Sequence, residues 1–154
     1  MDGITLPLAV AGACSAACAL LHVLIVFGGG PWYRFFGAGE RMASASEAGR
    51  AYPAVVTLGI AAVFAVWGAY AFAVAGVLAL ALPWQKAVLS AITAIYLLRG
   101  LGLLVVFAPS RVKYTPFDLW SSAVSATFGL VHLLGLWQVW PTLGPGAFPS
   151  TYPP

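Results

Sequence analysis

Three side chains that can do chemistry lie inside long apolar runs of this sequence: His22, Arg99 and His132. A guanidinium binds carboxylates and phosphates through several N–H donors, and an imidazole can exchange a proton or bind a metal. A charged side chain at the centre of a membrane costs about 2.5–3.5 kcal/mol even on the lenient insertion scale, so such a residue by default marks a site. We therefore take Arg99 as the first candidate for binding an anion.

The stretch "PWYRFFGAGER", residues 31–41, is the second concentration of such residues. Aromatic and arginine side chains are enriched at membrane interfaces. Trp32, Tyr33 and Arg34 are accordingly interpreted as an interfacial anchor, with Arg34 and Arg41 also able to attract an anion at the surface.

The residues after that stretch predict a short amphipathic helix, on which Glu40, Ser44 and Glu47 share one face. That face is either solvated or part of a lid whose carboxylates turn inward. Both alternatives stay open at the level of the sequence.

The composition sets the environment in which these residues act. The chain has 154 residues, of which 62% are hydrophobic and 7% are charged, and its mean hydropathy is +0.95. A soluble domain carries about 25% charged residues, so most of this surface must face lipid. The net charge of +3 comes without any Lys/Arg-rich run, which excludes a nucleic-acid-binding protein.

Four apolar segments are each long enough to cross about 30 Å of hydrocarbon as a helix. They predict a single all-α domain over residues 1–154, a transmembrane four-helix bundle. Gly28, Gly29, Gly30 and Pro31 are predicted to end the first span, and Asp118 is a candidate N-cap for the fourth. The predicted spans are residues 6–27, 52–77, 85–108 and 119–140, followed by an extended tail, 141–154.

Basic residues are unevenly distributed between the two ends of these spans. Because Lys and Arg favour cytoplasmic loops, the two larger loops are predicted in the cytoplasm and both termini outside, in the periplasm. A composition rich in Ala, Gly, Val and Leu and poor in Lys favours a bacterial inner membrane. The larger loops hold Arg34, Arg41, Arg50, Arg111 and Lys113, against Lys86 at the other end.

Arg99 is nine residues from the predicted end of the third span, which places it about 14 Å deep. The predicted spans contain no Asp or Glu. Its charge must be balanced by backbone carbonyls, by a water-filled cavity, by Glu40 or Glu47, or by an anionic ligand.

A cleft open to the cytoplasmic side, with Arg99 at its floor, would use all these polar positions. The competing interpretation is that the polar side chains form hydrogen bonds between tightly packed helices. Candidate ligand-binding residues carry either a polar group or a broad aromatic surface: Arg99, His132, Tyr96, Trp67, Tyr70, Phe128, Arg34 and Arg41.

Metal and haem sites are not expected from this sequence. Cys14, Cys18 and His22 extend over about 12 Å of helix, too far apart for one ion. His22 and His132 differ by about 10 Å in predicted depth, which argues against haem held between them. No catalytic motif is present, so catalytic residues are unknown, with His22 and Glu40 as candidates for acid–base chemistry.

Two resemblances follow from these segments. The runs "GPWYRFFGAGERM", "YPAVVTLGIAAVFAVW" and "IYLLRGLGLL" resemble small four-span bacterial membrane proteins without an assigned activity. In length, span count, outside termini and a basic loop after span one, the chain is also similar to the MAPEG superfamily of trimeric, glutathione-dependent membrane enzymes. That resemblance implies glutathione as cosubstrate and a role for Arg50, although "AYPAVVTLG" after it lacks the Asn and Glu of the superfamily.

Three functional hypotheses result. The first is binding or transport of an amphipathic, anionic, lipid-like molecule, without a cofactor. The second is a membrane enzyme acting on a lipophilic substrate with glutathione. The third is a small structural subunit of a larger membrane complex. Membrane lipids are expected partners in each case, and a homo-oligomer is compatible with all three.

Overall fold

The computed structural model describes residues 4–106 and 115–144, with side chains up to residue 102 in the first range. Arg111, Lys113 and the tail from residue 145 onward lie outside the described residues. The described residues form helices joined by turns and contain no strand, which confirms the all-α part of the predicted fold. Its helices are α1 (Leu6–Phe35), α2 (Glu40–Glu47), α3 (Tyr52–Val74), α4 (Gln85–Val106) and α5 (Pro116–Val139).

Three of these helices, α1, α3 and α5, are long and apolar enough to cross a membrane. The mean hydropathy of their most apolar windows is 2.3, 2.0 and 1.4. These values support the prediction of an integral membrane protein. The third predicted span, residues 85–108, corresponds to α4, which carries Lys86 and Arg99; that α4 crosses the membrane stays a prediction, as does the placement of the termini.

Several boundaries differ from the prediction; α3, for example, ends at Val74 rather than at residue 77. The chain leaves helical geometry at Gly29 (φ 63°, ψ −151°) but then resumes the helix through Pro31 to Phe35. A positive φ of this kind favours glycine, and proline is tolerated in a first helical turn, so the Gly-Pro stretch interrupts the first helix at Gly29, near its predicted end, and a second helical segment follows directly to Phe35. Helix α5 begins at Pro116, three residues before the predicted start.

The N-cap of α5 is Thr115, whereas the sequence suggested Asp118. The Thr115 hydroxyl accepts a hydrogen bond from the Asp118 N–H, and the Asp118 carboxylate accepts one from the Thr115 N–H. This reciprocal capping box satisfies two backbone donors at the start of the helix. Asp118 is thereby held at the surface end of α5.

The long helices pack as two antiparallel pairs, α1 with α3 and α4 with α5, and α1 also contacts α5. In each pair, glycines allow the backbones to approach closely. A Cβ at Gly68 would lie 3.2 Å from the Gly12 carbonyl oxygen, and one at Gly100 would lie 2.5 Å from the Ala126 Cα. Small residues at such contacts are typical of helix packing in membranes.

The main core lies toward one end of the bundle, where α1 and α4 begin and α3 and α5 end; we name it the terminus end. The Thr5 N–H donates to the Ala75 carbonyl, and the Lys86 ammonium donates to the Trp140 carbonyl while lying 4.0 Å from the Trp140 ring centroid. Core residues from all four long helices meet here: Leu8, Ala11, Ala71, Ala75, Leu89, Ile92, Tyr96, Leu136 and Val139.

The opposite end, which we name the α2 end, has a smaller buried cluster formed by α1 and α2 alone. Its members are Ile25, Tyr33 and Ala43. The two helix pairs are thus joined across a shared core at the terminus end but not at the α2 end. This asymmetry leaves a space between the pairs in the α2 half of the bundle.

The α4–α5 contact supplies a matched pair of variants. We expect Gly100→Ala to destabilise the protein by about 1–3 kcal/mol, because its new methyl group meets the backbone of Ala126. Gly102→Ala is the control, since within the described part of the chain nothing lies within 4 Å of a Cβ there, and alanine in a helix is favoured over glycine by about 1 kcal/mol. Thermal unfolding in one detergent should rank the proteins Gly102→Ala, wild type, Gly100→Ala; equal midpoints for the two variants would contradict the packing.

Candidate functional site

A cavity of about 350 Å³ lies between the two helix pairs in the α2 half of the bundle. We name it the interhelical cleft. Helix α1 contributes Cys18 and His22, α3 contributes Trp67, and α4 contributes Tyr96 and Arg99. All four long helices and the residue after α1 line it, and most of the lining is apolar or aromatic.

Arg99 lies on the wall formed by α4 and α5. Its guanidinium donates hydrogen bonds to the hydroxyls of Ser121 and Ser122, both at 3.3 Å. Hydroxyls are neutral, so they orient the cation without neutralising it. The side chain of Arg99 stays exposed, which leaves part of its donor set available to the contents of the cleft.

The carboxylates of the described residues are engaged elsewhere. Asp118, one turn before the serines, is near enough to Arg99 to interact electrostatically, but its carboxylate accepts its hydrogen bonds from Thr115. Within residues 4–106 and 115–144, every ion pair shorter than 4.0 Å is formed by Arg34. The sequence did not anticipate Asp118 as the acid nearest to Arg99, because it places Asp118 outside the span.

Arg34 binds both carboxylates of α2, and we name this group the Arg34 clamp. Its Nε and Nη2 donate to the two oxygens of Glu40 at 2.9 and 2.7 Å, and its Nη1 and Nη2 donate to the two oxygens of Glu47. The Ser44 hydroxyl also donates to Glu40 at 2.8 Å. The acidic face of α2 therefore faces α1, and neither Glu40 nor Glu47 forms an ion pair with Arg99.

The two histidines make the same local hydrogen bond. Nδ1 of His22 lies 2.8 Å from the Cys18 carbonyl, and Nδ1 of His132 lies 2.9 Å from the Phe128 carbonyl. A carbonyl oxygen only accepts, so Nδ1 carries the proton and Nε2 of the neutral ring is an acceptor. His22 presents this imidazole at the cleft, whereas His132 is 0% exposed and its Nε2 has no hydrogen-bond partner within the described chain.

Tyr96 separates the cleft from the core. Its hydroxyl is 3.0 Å from the Ser15 hydroxyl, and its ring lies 5.1 Å from the Trp67 ring, which also lines the cleft. On its other sides the rings of Phe128 and His132 pack against it at 5.8 and 5.1 Å. Phe128 and His132 therefore support Tyr96 from outside the cleft lining.

The remaining predicted binding residues are placed at three different locations. Tyr70 donates to the Pro83 carbonyl at 3.2 Å; it is one helical turn beyond Trp67, toward the terminus end, where the pairs have already closed. Arg41 lies on α2, in a separate surface depression. Arg34 forms the clamp. Among the described residues, no group of three His, Cys, Asp or Glu side chains is placed to bind a metal ion.

Aromatic residues at the α2 end of the cleft were missed as candidates. Phe36, Phe117 and Trp120 line it there, and a Cβ at Gly37 would lie 2.5 Å from the Phe117 ring. The chain after α1 thus packs on the start of α5. A signal was present, since residues 117, 121, 124 and 125 fall on one face of a helix.

Searches against models of protein families, curated proteins and solved structures find no match to this chain. The chemistry of the cleft is nevertheless clear from its residues. One cation, two serine hydroxyls and an imidazole acceptor lie among apolar and aromatic walls. Such an arrangement can hold the polar head of an amphipathic molecule by charge-assisted hydrogen bonds and its body by apolar contact.

The Arg34 clamp predicts an unusual titration. Hydrogen bonds from Arg34 and then from Ser44 lower the pKa of Glu40 from its usual 4.5 to about 2. A lowered folded-state pKa stabilises the docked α2 fully above pH 4.5, and this contribution is lost as the pH falls from 4.5 toward 2.

Carboxyl ¹³C NMR of Glu40 should show this low titration in the wild type. In Arg34→Gln the titration should return toward 4.5, whereas Arg41→Gln, one residue beyond Glu40, should leave it unchanged. A Glu40 titration near 4.5 in the wild type would show that the clamp does not form.

Proposed function

We propose that this protein is an integral protein of a bacterial inner membrane that binds, and in doing so moves or presents, an amphipathic anion in the interhelical cleft. The observation that carries the proposal is Arg99, exposed at an apolar cavity and hydrogen-bonded to two neutral serine hydroxyls. The free-energy cost of placing such a charge in the membrane falls when an anion binds to it. Four helices cross the membrane in this proposal, and the α2 end faces the cytoplasm.

The packing of α4 supports a fourth crossing helix. Gly100 meets Ala126, and Leu97 meets Gly129, so α4 lies along the middle of α5. A helix so closely paired with a membrane-crossing neighbour shares its depth. A segment at membrane depth must form all its backbone hydrogen bonds internally, and a helix does so.

The distribution of basic residues supports the orientation. Arg34, Arg41 and Arg50 lie at the α2 end, and Lys86 lies at the terminus end. The excess of arginine at the α2 end is typical of a cytoplasmic face. Such a face also attracts anionic molecules to the side on which the cleft lies.

The groups in the cleft define the ligand's head. Arg99 favours a carboxylate or a phosphate, since both match the planar donor set of a guanidinium. Because Nδ1 of His22 donates to the Cys18 carbonyl, Nε2 of the neutral ring can accept a hydrogen bond, which suits a head with a hydroxyl or an acidic proton next to the anion. The head of a neutral lipid pairs less well with Arg99 and His22 than such an anion does.

The volume and walls define the ligand's body. A cavity of about 350 Å³ is at the small end of ligand pockets, which cover about 300–1,000 Å³. It suits a single acyl chain or a ring system better than a two-chain phospholipid. Ile95 and Trp120 line the cleft and are also 48% and 45% exposed, so a lipophilic molecule would enter from the side.

One observation favours a second candidate function, a membrane enzyme with His22 as the general base. His22 lines the cleft and its Nδ1 hydrogen bond orients the ring, as a catalytic base requires. Glu40, the other acid–base candidate, is held in the Arg34 clamp. In this second proposal an anionic cosubstrate such as glutathione would bind at Arg41 and Arg50.

The test of the first proposal compares two single-chain probes that differ in the head alone. A brominated dodecanoic acid quenches the fluorescence of Trp67 and Trp120 when it occupies the cleft, and the brominated alcohol of the same length reports apolar binding. Arg99→Gln should weaken binding of the acid about tenfold or more, the typical size of a charged hydrogen bond. It should leave binding of the alcohol unchanged.

Lys86→Gln is the matched control, because it removes one positive charge at the terminus end, away from the cleft. Equal affinities of the acid and the alcohol for the wild type would contradict the proposal, as would unchanged acid binding in Arg99→Gln. For the second candidate, His22→Gln should abolish turnover of a lipophilic electrophile with glutathione while dodecanoic acid still binds.

A further inference from the structure

A second concave site lies on the surface of the α2 end, separate from the interhelical cleft. Its volume is about 530 Å³, and we name it the α2 groove. It is lined by Arg41, Ser44, Ala45, Ala48, Arg50 and Tyr52. We propose that the α2 groove binds the phosphate-bearing headgroup of an anionic membrane lipid. This inference is independent of the first proposed function; in the second candidate function the same two arginines would instead hold the cosubstrate.

The groove is built from one face of α2 and the start of α3. Arg41, Ala45 and Ala48 recur at helical spacing, and the two alanines give a shallow floor. Gly49, with φ 70°, then turns the chain, and Arg50 also lines the groove. The result is a depression lined by two arginines.

The acids of α2 are already paired with another cation. Arg34 binds both carboxylates, and Glu40 also accepts a hydrogen bond from Ser44, which lines the groove. In the part of the chain that the structure describes, neither Arg41 nor Arg50 forms an ion pair or a side-chain hydrogen bond. Two arginines with free donor sets are suited to a phosphate, which they can bind through paired N–H groups.

The position of the groove relative to the membrane indicates that the phosphate belongs to a lipid. Tyr52 is the first residue of α3, an apolar helix long enough to cross a membrane, and it lines the groove. The groove is therefore at the level where α3 enters the membrane, the level of lipid headgroups. The free N–H groups at the start of α3 add positive potential there.

The test uses full-length protein in a neutral detergent and three soluble probes: dihexanoyl-phosphatidylglycerol, dihexanoyl-phosphatidylcholine and inorganic phosphate. Calorimetric titration should show binding of the phosphatidylglycerol and much weaker binding of the other two. Arg41→Gln and Arg50→Gln should each weaken it about fivefold, since one basic side chain near an anionic lipid contributes about 1 kcal/mol.

Two controls separate the groove from other cationic sites. Lys86→Gln removes the same charge at the terminus end, and Arg99→Gln removes it from the cleft; both should retain phosphatidylglycerol binding. The proposal is overturned if phosphatidylcholine binds equally well, if inorganic phosphate binds as tightly as the lipid, or if Arg99→Gln alone abolishes binding.

Discussion

The scarcity of carboxylates governs this structure. The chain has four acidic residues against seven basic ones, and Glu40, Glu47 and Asp118 are the three within the described residues. The Arg34 clamp takes Glu40 and Glu47, and the cap of α5 takes Asp118. Both groups are exposed, so they act through charge-assisted hydrogen bonds of defined geometry and not through burial. This allocation fixes α2 against α1, starts α5 at Thr115, and leaves Arg99 with hydroxyl partners.

Helix packing then places the remaining arginines in two different sites, the interhelical cleft and the α2 groove. At the terminus end, small residues bring the helix pairs together around one core that includes Leu8 and Leu136. At the α2 end, the core is limited to α1 and α2, so the pairs enclose the interhelical cleft there. Tyr96 lies at the boundary, with the core behind its ring and the cleft in front of it. Arg34 binds the acidic face of α2. The side chains of Arg41 and Arg50 stay exposed.

The sequence was sufficient to predict the long helices, which depend on the length of the apolar runs. It was insufficient to predict which charged side chains pair and which side chains reach the cleft. Apolar runs of membrane-spanning length predicted the long helices, since helix is the stable form of such segments in lipid. Periodicity cannot say which carboxylate binds which arginine, and so the Arg34 clamp was not predicted.

Depth along the bundle, which one sequence does not show, explains why His132 was wrongly grouped with the residues of the cleft. His132 shares a helical stripe with Ser121 and Ser125, yet it lies behind Tyr96 while the serines line the cleft. The distinction is a matter of depth relative to a ring on another helix, which one sequence does not encode locally. The cap of α5 was misplaced by three residues for a simpler reason: Thr115 and Asp118 are both good capping residues.

The two cationic sites differ in what surrounds the charge, and this separates the ligands they can select. Arg99 faces apolar and aromatic walls, where electrostatic attraction is strong and little screened. Those walls also favour a ligand that has an apolar body, which is why we propose a whole amphipathic molecule for the cleft. Arg41 and Arg50 lie in a shallow, exposed groove, where attraction is screened within about 10 Å at ordinary salt. For the groove we accordingly propose recognition of charge and headgroup alone, so that the same residue type would serve two kinds of recognition in one small bundle.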